Sequence, residues 1–134
     1  MVAVSDQAEL DAVVSEALGV GDVASAVIFL ASPGGDGLDL AAAAGIAGPP
    51  LDGLVAAVRN PAHPVVRTLA DDGPTFDVLP VNPGGPRLRS HLPIRVGGAT
   101  VGVLALAHPL PTDHDQQSRM RALAERAASA IAAG

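Results

Sequence analysis

The sequence predicts a single α+β domain spanning residues 1–134, with a mostly antiparallel sheet and a helix near each end of the chain. Three observations support this fold class. An apolar run of strand length lies early in the chain, two strand-like segments flank Gly97 and Gly98, and apolar residues recur at helical spacing near both termini. The length suits one domain with a sizeable core. We therefore expect neither a second domain nor an internal repeat.

The N-terminal part of the chain is predicted to form a helix and two strands. Residues 5–18 carry Ser5 as a helix cap and an apolar stripe at helical spacing. Residues 23–31 read VASAVIFLA, and a strand that is apolar on both faces needs cover on both sides. Residues 38–44, LDLAAAA, follow a short turn and are predicted to return as a second strand, although an alanine run also suits a helix.

The middle of the chain is rich in proline and glycine and is predicted to be an irregular crossover. The Gly-Pro-Pro sequence ending at Pro50 breaks the chain before a short helix over residues 51–59. Residues 65–70 predict a further helical turn. Residues 75–81 predict a strand, and Pro80 favours a position at the edge of the sheet because proline cannot donate to a neighbouring strand.

Residues 87–109 predict a β-hairpin that turns at Gly97 and Gly98, because Gly-Gly between two apolar runs is a strong signal for a two-residue turn. The two-residue turn sets the pairing of the strands and makes one face apolar. That face carries Leu92, Ile94, Val96, Ala99, Val101, Val103 and Ala105. His91 is then expected on the opposite face, beside Leu104.

The last helix is predicted over residues 112–133, because Thr112 and Asp115 have the spacing of a capping box. Its apolar stripe consists of Met120, Leu123, Ala124, Ala127, Ala130 and Ile131. One face of a sheet absorbs only part of the stripes of two terminal helices. We therefore expect a homodimer that forms through the terminal helices.

The composition excludes several function classes. The net charge is −6, every basic residue is arginine, and the chain has no cysteine, tyrosine or tryptophan. An acidic chain with neither tyrosine nor tryptophan to stack on bases is not expected to bind nucleic acid or an anionic membrane. Without lysine or cysteine, Schiff-base catalysis, a P-loop, disulfides and thiolate catalysis are excluded. No apolar run reaches the ~18–20 residues of a membrane span, and no cleavable signal is visible, so a cytoplasmic location is predicted.

The C-terminal part of the chain resembles the C-terminal half of a GAF domain, and the resemblance extends, more weakly, to the whole of residues 1–134. The resemblance rests on SHLPI, a short glycine turn, TVGVLAL and a capped alanine-rich helix, all within residues 87–133. It implies a sheet of about five or six strands, with the terminal helices on one face and a small-molecule pocket on the other, roofed by the crossover at residues 45–85. It also implies a sensory or regulatory role in signal transduction.

Specialised members of that family can be tested against the composition. The free methionine sulfoxide reductases of the family need catalytic cysteines, and bilin-binding members attach the chromophore through cysteine, so the absence of cysteine excludes both. Cyclic-nucleotide-binding members carry an NKFDE motif, which cannot be intact without lysine. No particular cofactor is indicated.

Arg87, Arg89, Ser90 and His91 form the first candidate ligand-binding cluster. Two guanidinium groups and a hydroxyl group close together can bind a carboxylate or a phosphate. The alternative is a solvent-exposed loop whose positive charges balance an acidic surface. A buried His91 in an apolar cleft would favour a ligand site, since such sites combine an apolar lining with few polar groups.

Three further residues are candidates for the same pocket. His63 lies between two prolines. It either reaches the pocket, as an axial ligand for haem or as a hydrogen-bond donor, or only shapes the crossover turn. Phe76 and Asp77 lie on the strand that the resemblance places beside the pocket. Phe76 suits contact with a ligand or a place in the core, and Asp77 suits acceptance of a hydrogen bond.

No metal site and no catalytic residues are predicted. Asp113, His114 and Asp115 resemble a metal cluster, but acidic residues are expected at a helix N-terminus and adjacent helical positions point in different directions. The sequence therefore predicts a non-catalytic sensory or regulatory domain that binds an unidentified small molecule. The alternative is a ligand-free module for dimerisation or protein contact. An enzyme is disfavoured because no nucleophile–base pair emerges.

Overall fold

A computed structural model describes residues 7–21, 23–31, 38–60, 62–68, 88–109 and 113–132, together with the backbone of residues 75–78. The helices and strands follow in the order α1 (Gln7–Ala17), β1 (Ser25–Ala31), β2 (Leu38–Ala44), α2 (Gly48–Ala57), α3 (Pro64–Arg67), β3 (Thr75–Val78), β4 (Leu88–Val96), β5 (Ala99–His108) and α4 (His114–Ala132).

The described strands form one antiparallel sheet of five strands in the order β2-β1-β5-β4-β3. Strand β5 is central, and β2 and β3 are the edges. The fold class is therefore α+β with a mostly antiparallel sheet, as predicted, and the number of strands is at the lower end of the expected range. The edge position of β3 agrees with the prediction made from Pro80.

Helices α1 and α4 cover one side of the sheet, which we call the helix face. The predicted stripe of α1 is buried there through Leu10, Val13, Val14 and Ala17, and that of α4 through Met120, Leu123, Ala124, Ala127 and Ala130. The sheet contributes Ala26, Ile28, Ala42, Leu92, Ile94, Leu104 and Leu106 to the same core. Both stripes are thus largely buried within one chain. Within the described ranges, no helix is long and apolar enough to cross a membrane.

Arg126 links the two terminal helices. Its Nε atom donates to Oε1 of Glu9 at 3.0 Å, and its guanidinium group also pairs with the carboxylate of Glu16. Both glutamates belong to α1, so one side chain of α4 holds two turns of the neighbouring helix. The hydrogen bonds to Glu9 and then to Glu16 raise the pKa of Arg126 above its ordinary value, and the guanidinium group stays charged.

Helix α4 begins with a reciprocal cap. Oδ1 of Asp113 accepts from the backbone N–H of Gln116 at 2.7 Å, and Oε1 of Gln116 accepts from the backbone N–H of Asp113 at 3.0 Å. Asp115 instead pairs with Arg119 one turn further on, at 3.2 Å. The capping box is therefore one residue later than predicted, and the role of Asp113 is to begin the helix.

Helices α2 and α3 cover the opposite side of the sheet, which we call the crossover face. A second core lies beneath them, made of Val27, Phe29, Leu38, Leu54, Val58, Val65, Val103 and Ala105. Helix α2 begins at Gly48, so that Pro49 and Pro50 lie in its first turn instead of breaking the chain before it. Proline is tolerated there because the first N–H groups of a helix have no acceptor within the helix.

Strand β1 is buried on both faces, as its sequence predicts. Ala26 and Ile28 belong to the core of the helix face, whereas Val27 and Phe29 belong to the core of the crossover face. Residues 38–44 form the returning strand β2 and not a helix. Pairing with β1 decides between the two conformations that the alanine run allows.

The β4–β5 hairpin turns at the predicted glycines. Gly97 and Gly98 both have positive φ, 61° and 85°. Positive φ at both turn positions is the requirement of the tight turn that matches the twist of a hairpin, and glycine meets it without strain. Val96 pairs with Ala99 beside this turn, so the predicted pairing holds at the tip.

A bulge between Ile94 and Arg95 changes the pairing over the rest of the hairpin. From Ile94 towards the start of β4, every residue is shifted by one position relative to β5, so His91 lies opposite Ala105. A shift of one residue exchanges the faces of all the side chains on a strand. The predicted placement of His91 beside Leu104 is therefore wrong, and His91 lies on the crossover face.

Candidate ligand-binding site on the crossover face

Strand β4 sorts the predicted cluster onto two sides of the sheet. Arg89 pairs with Ala107 and His91 with Ala105, and alternation along the strand places both side chains on the crossover face. Ser90 between them points to the helix face. Arg87 lies outside the described residues. The structure therefore brings Arg89 and His91 together and separates Ser90 from them.

His91 is the most distinctive residue of the crossover face. Its side chain is fully buried, and its Nε2 atom is shielded from solvent. Its partner Ala105 and the neighbouring Val103 belong to the apolar core beneath α2 and α3. An imidazole group in such surroundings is costly unless it is hydrogen-bonded, which makes this position either a polar anchor of the fold or a polar contact for a ligand.

Arg89 extends the polar character of this part of the face. Its side chain is half-buried, two residues before His91 on the same side of β4. A guanidinium group presents donors in a planar fork that fits a carboxylate or a phosphate. Together, a fork of donors at the rim and an imidazole in the interior can bind an anionic group whose remaining part is buried.

Ser90 has a defined partner on the helix face. Its Oγ atom is 2.8 Å from Nε2 of His108, a residue of β5 that is 4% exposed. This hydrogen bond ties β4 to the end of β5, close to where the chain enters α4. The hydroxyl group of Ser90 is thus engaged on the side of the sheet away from Arg89 and His91.

His63 has a structural role in the crossover. Its Nδ1 atom accepts from the backbone N–H of Val65 at 3.2 Å and so caps α3. Accepting at Nδ1 requires the neutral tautomer with the proton on Nε2. Val65 is buried in the core of the crossover face, and the cap thereby fixes the short helix against the sheet.

The backbone of β3 places the other two candidates next to β4. Asp77 pairs with Arg89 and Phe76 pairs with Ser90. Their side chains lie outside the described part of the structure. Among the described residues, no group of three histidine, cysteine or acidic side chains is placed to hold a metal ion.

Two contacts of the structure were missed by the sequence prediction. The Ser90–His108 hydrogen bond depends on the bulge, because the shift of register brings the two residues close together. The ion pairs of Arg126 join residues more than one hundred positions apart and have no local signal. The positions of Glu9 and Glu16 on one side of α1, two turns apart, are the feature from which an inter-helix cation could have been suspected.

The fold is that of a known family. A family model of the GAF domain matches residues 7–131, and the chain belongs to this family of sensory and regulatory domains. The structure is similar to the second GAF domain of DevS from Mycobacterium smegmatis, with a TM-score of 0.74 and 22% identity over 96% of this chain and 94% of that chain. Comparison with curated proteins gives no match.

Two other solved structures show the breadth of proteins that share this fold. One is the GAF domain of a phosphoenolpyruvate-protein phosphotransferase from Coxiella burnetii, with a TM-score of 0.75 and 15% identity over 95% of this chain and 82% of that chain. The other is a type II free methionine-R-sulfoxide reductase from Thermoplasma acidophilum, with a TM-score of 0.71 and 9% identity over 95% of this chain and 94% of that chain. Identities this low show the fold alone.

Proposed function

We propose that the chain is a non-catalytic sensory domain that binds a small molecule with an anionic group on the crossover face, beside β4. The observation that carries the proposal is the fully buried imidazole group of His91 on that face, with the guanidinium group of Arg89 two residues away. Ligand sites of this kind combine an apolar lining with a few convergent polar groups. In this proposal Arg89 binds the anionic group and His91 orients the buried part of the ligand.

The position of the apolar core limits where such a ligand lies. Phe29, Val65 and Val103 fill the space between the sheet and the helices over strands β1 and β5. The ligand is therefore placed over β4 and towards β3, where Asp77 is the backbone partner of Arg89. His63 caps α3 on the same face of the sheet and is a further residue of the proposed site.

Native mass spectrometry of the purified protein tests this proposal, because added mass that is lost on denaturation reveals a bound molecule and its size. Arg89→Gln and His91→Gln are expected to lose that mass, since each removes one proposed contact. Arg119→Gln is the matched control, because Arg119 is an exposed arginine of α4 that pairs with Asp115. Circular dichroism confirms that each variant is folded. Retention of the molecule by both site variants would overturn the assignment of the site.

A ligand-free module for dimerisation is the second candidate, and the filled core over β1 and β5 favours it. The outer surface of α1 and α4 is where a second copy would pack in that case, at a shallow groove lined in part by Glu9, Ala122 and Ser129. Light scattering across a concentration series distinguishes the two functions. A dimer with no added mass supports the module, and Ala122→Glu is then expected to give monomers. A monomer with added mass supports the sensory domain.

A further inference from the structure

A second concave site lies between the outer half of β4 and helix α4. It has a volume of about 270 Å³. Strand β4 contributes Leu92, Pro93 and Arg95, and helix α4 contributes Arg121, Ala124, Glu125 and Ala128. We call this site the β4–α4 groove. It is separate from the proposed site at His91, because neither Arg89 nor His91 lines it and its floor belongs to the core under α4.

The floor of the β4–α4 groove is apolar and is formed by residues that belong to the core or pack against it. Leu92 and Ala124 are 7% and 6% exposed and belong to the core of the helix face, and Ala128 packs against that core. Positions 121, 124, 125 and 128 lie on one side of α4, because residues three, four and seven apart share a helix face. The alanines leave room above Leu92 that larger side chains at the same positions would fill.

The rim of the groove carries two guanidinium groups and one carboxylate group. Nη2 of Arg95 donates to the backbone oxygen of Gly98 at 2.9 Å, which holds the side chain at the hairpin tip. Arg121 and Glu125 stand one turn apart on α4. The rim therefore has a net positive charge of one, although the whole chain has a net charge of −6. A local positive excess over an apolar floor is complementary to an amphipathic anion.

We propose that the β4–α4 groove binds a small monocarboxylate with an apolar tail. The carboxylate group lies between Arg95 and Arg121, where charge-assisted hydrogen bonds are available, and the tail contacts Leu92, Ala124 and Ala128. The volume is just below the usual range of sites for drug-sized ligands, about 300–1,000 Å³, and suits a tail of roughly eight carbons or one aromatic ring. Glu125 disfavours multiply charged anions such as phosphate.

Binding can be measured by two-dimensional NMR titration of the isotope-labelled protein with octanoate, octylammonium and inorganic phosphate as probes. Octanoate is expected to shift the amide signals of Ala124 and Ala128 in a saturable way at up to millimolar concentration. Octylammonium and phosphate are expected to leave them unchanged. A free fatty acid and an aromatic acid share the proposed chemistry, and phenylacetate as a further probe distinguishes the two shapes of tail.

Two variants test the two halves of the site. Arg121→Gln is expected to weaken octanoate binding about 10-fold or more, since a charge-assisted hydrogen bond contributes roughly that factor. Arg119→Gln, on the exposed side of the same helix, is the matched control and is expected to bind normally. Ala128→Met fills the groove and is expected to abolish binding, whereas Ala132→Met at the exposed end of α4 is not.

Three outcomes would overturn the proposal. One is the absence of saturable shifts with octanoate and phenylacetate, and another is equal binding of octanoate by the Arg121→Gln and Arg119→Gln proteins. The third is a concentration-dependent shift of the same signals without any probe, which would assign the groove to contact with a second copy of the chain. Because Arg121 is exposed, its variant is expected to fold even if Ala128→Met does not.

Discussion

Replacing Ser90 with alanine tests the division of the predicted cluster between the two faces of the sheet. The substitution removes the hydroxyl group 2.8 Å from Nε2 of His108 and leaves that nitrogen in a site that is 4% exposed. A hydrogen bond contributes about 0.5–1.5 kcal/mol net, and a buried polar atom that loses its partner costs about 1–3 kcal/mol. We expect Ser90→Ala to lower the free energy of unfolding by about 1–2 kcal/mol.

Urea denaturation followed by far-ultraviolet circular dichroism measures this loss, since the chain has no tryptophan or tyrosine for fluorescence. With a slope of about 2 kcal/mol/M, the midpoint falls by roughly 0.5–1 M. Ser129→Ala is the matched control, because Ser129 is an exposed serine of α4 and its removal is expected to change stability by less than about 0.5 kcal/mol.

A double-mutant cycle separates the hydrogen bond from other effects of the substitution. His108→Leu removes the imidazole group, and the subsequent loss of the Ser90 hydroxyl group is then expected to cost much less than in the wild type. The reasoning is refuted if Ser90→Ala is as stable as the wild type, or if the two substitutions are additive within about 0.3 kcal/mol. Either result would mean that the hydrogen bond to His108 does not stabilise the fold, and Ser90 would again be a candidate contact for a ligand.

Three further predictions concern the packing of the fold and use the same urea assay. Arg126→Ala removes two half-exposed ion pairs and is expected to lower the free energy of unfolding by about 0.5–1.5 kcal/mol, and by less in high salt. The control Arg119→Ala is expected to lower it by under about 0.5 kcal/mol, and equal losses would contradict the link between α1 and α4. Gly102→Ala places a Cβ atom 2.4 Å from the backbone oxygen of Phe29 and is expected to lower the free energy of unfolding by at least about 2 kcal/mol. An unchanged stability would show that β1 and β5 can move apart at this position without cost. Gly53→Ala, in open space within α2, is expected to stabilise by about 0.5–1 kcal/mol, and a loss would contradict the bounds of that helix.

Most of the fold follows from local sequence signals. The stripes of the terminal helices, the doubly apolar strand β1 and the Gly97-Gly98 turn each depend on residues close together in the chain, and the structure confirms them. The ends of the helices are predicted less accurately. The chain offers Thr112 with Asp115 and Asp113 with Gln116 as alternative caps of the same type, and the hydrogen bonds at the start of α4 are those of the second pair.

The pairing of β4 with β5 could not be predicted in full, because a bulge is a property of two strands and their cover. Both alternative pairings bury apolar residues: Leu92 meets apolar neighbours whether it lies on the face of Val103 or on the face of Leu104. The apolar pattern therefore does not discriminate between them, and the turn chemistry fixes only the tip. The packing of Leu92 and Ile94 under α4 selects the shifted arrangement.

The bulge has a direct consequence for function. Without it, His91 would share a face with Leu104 under the terminal helices and would serve only the core. With it, His91 moves to the crossover face beside Ala105, and Leu92 lies on the helix face and forms the floor of the β4–α4 groove. One extra residue in β5, Val101, thus determines the composition of both candidate sites. A variant that removes the bulge by deletion of Val101 is therefore expected to disrupt both sites together, whereas Arg121→Gln affects the groove alone.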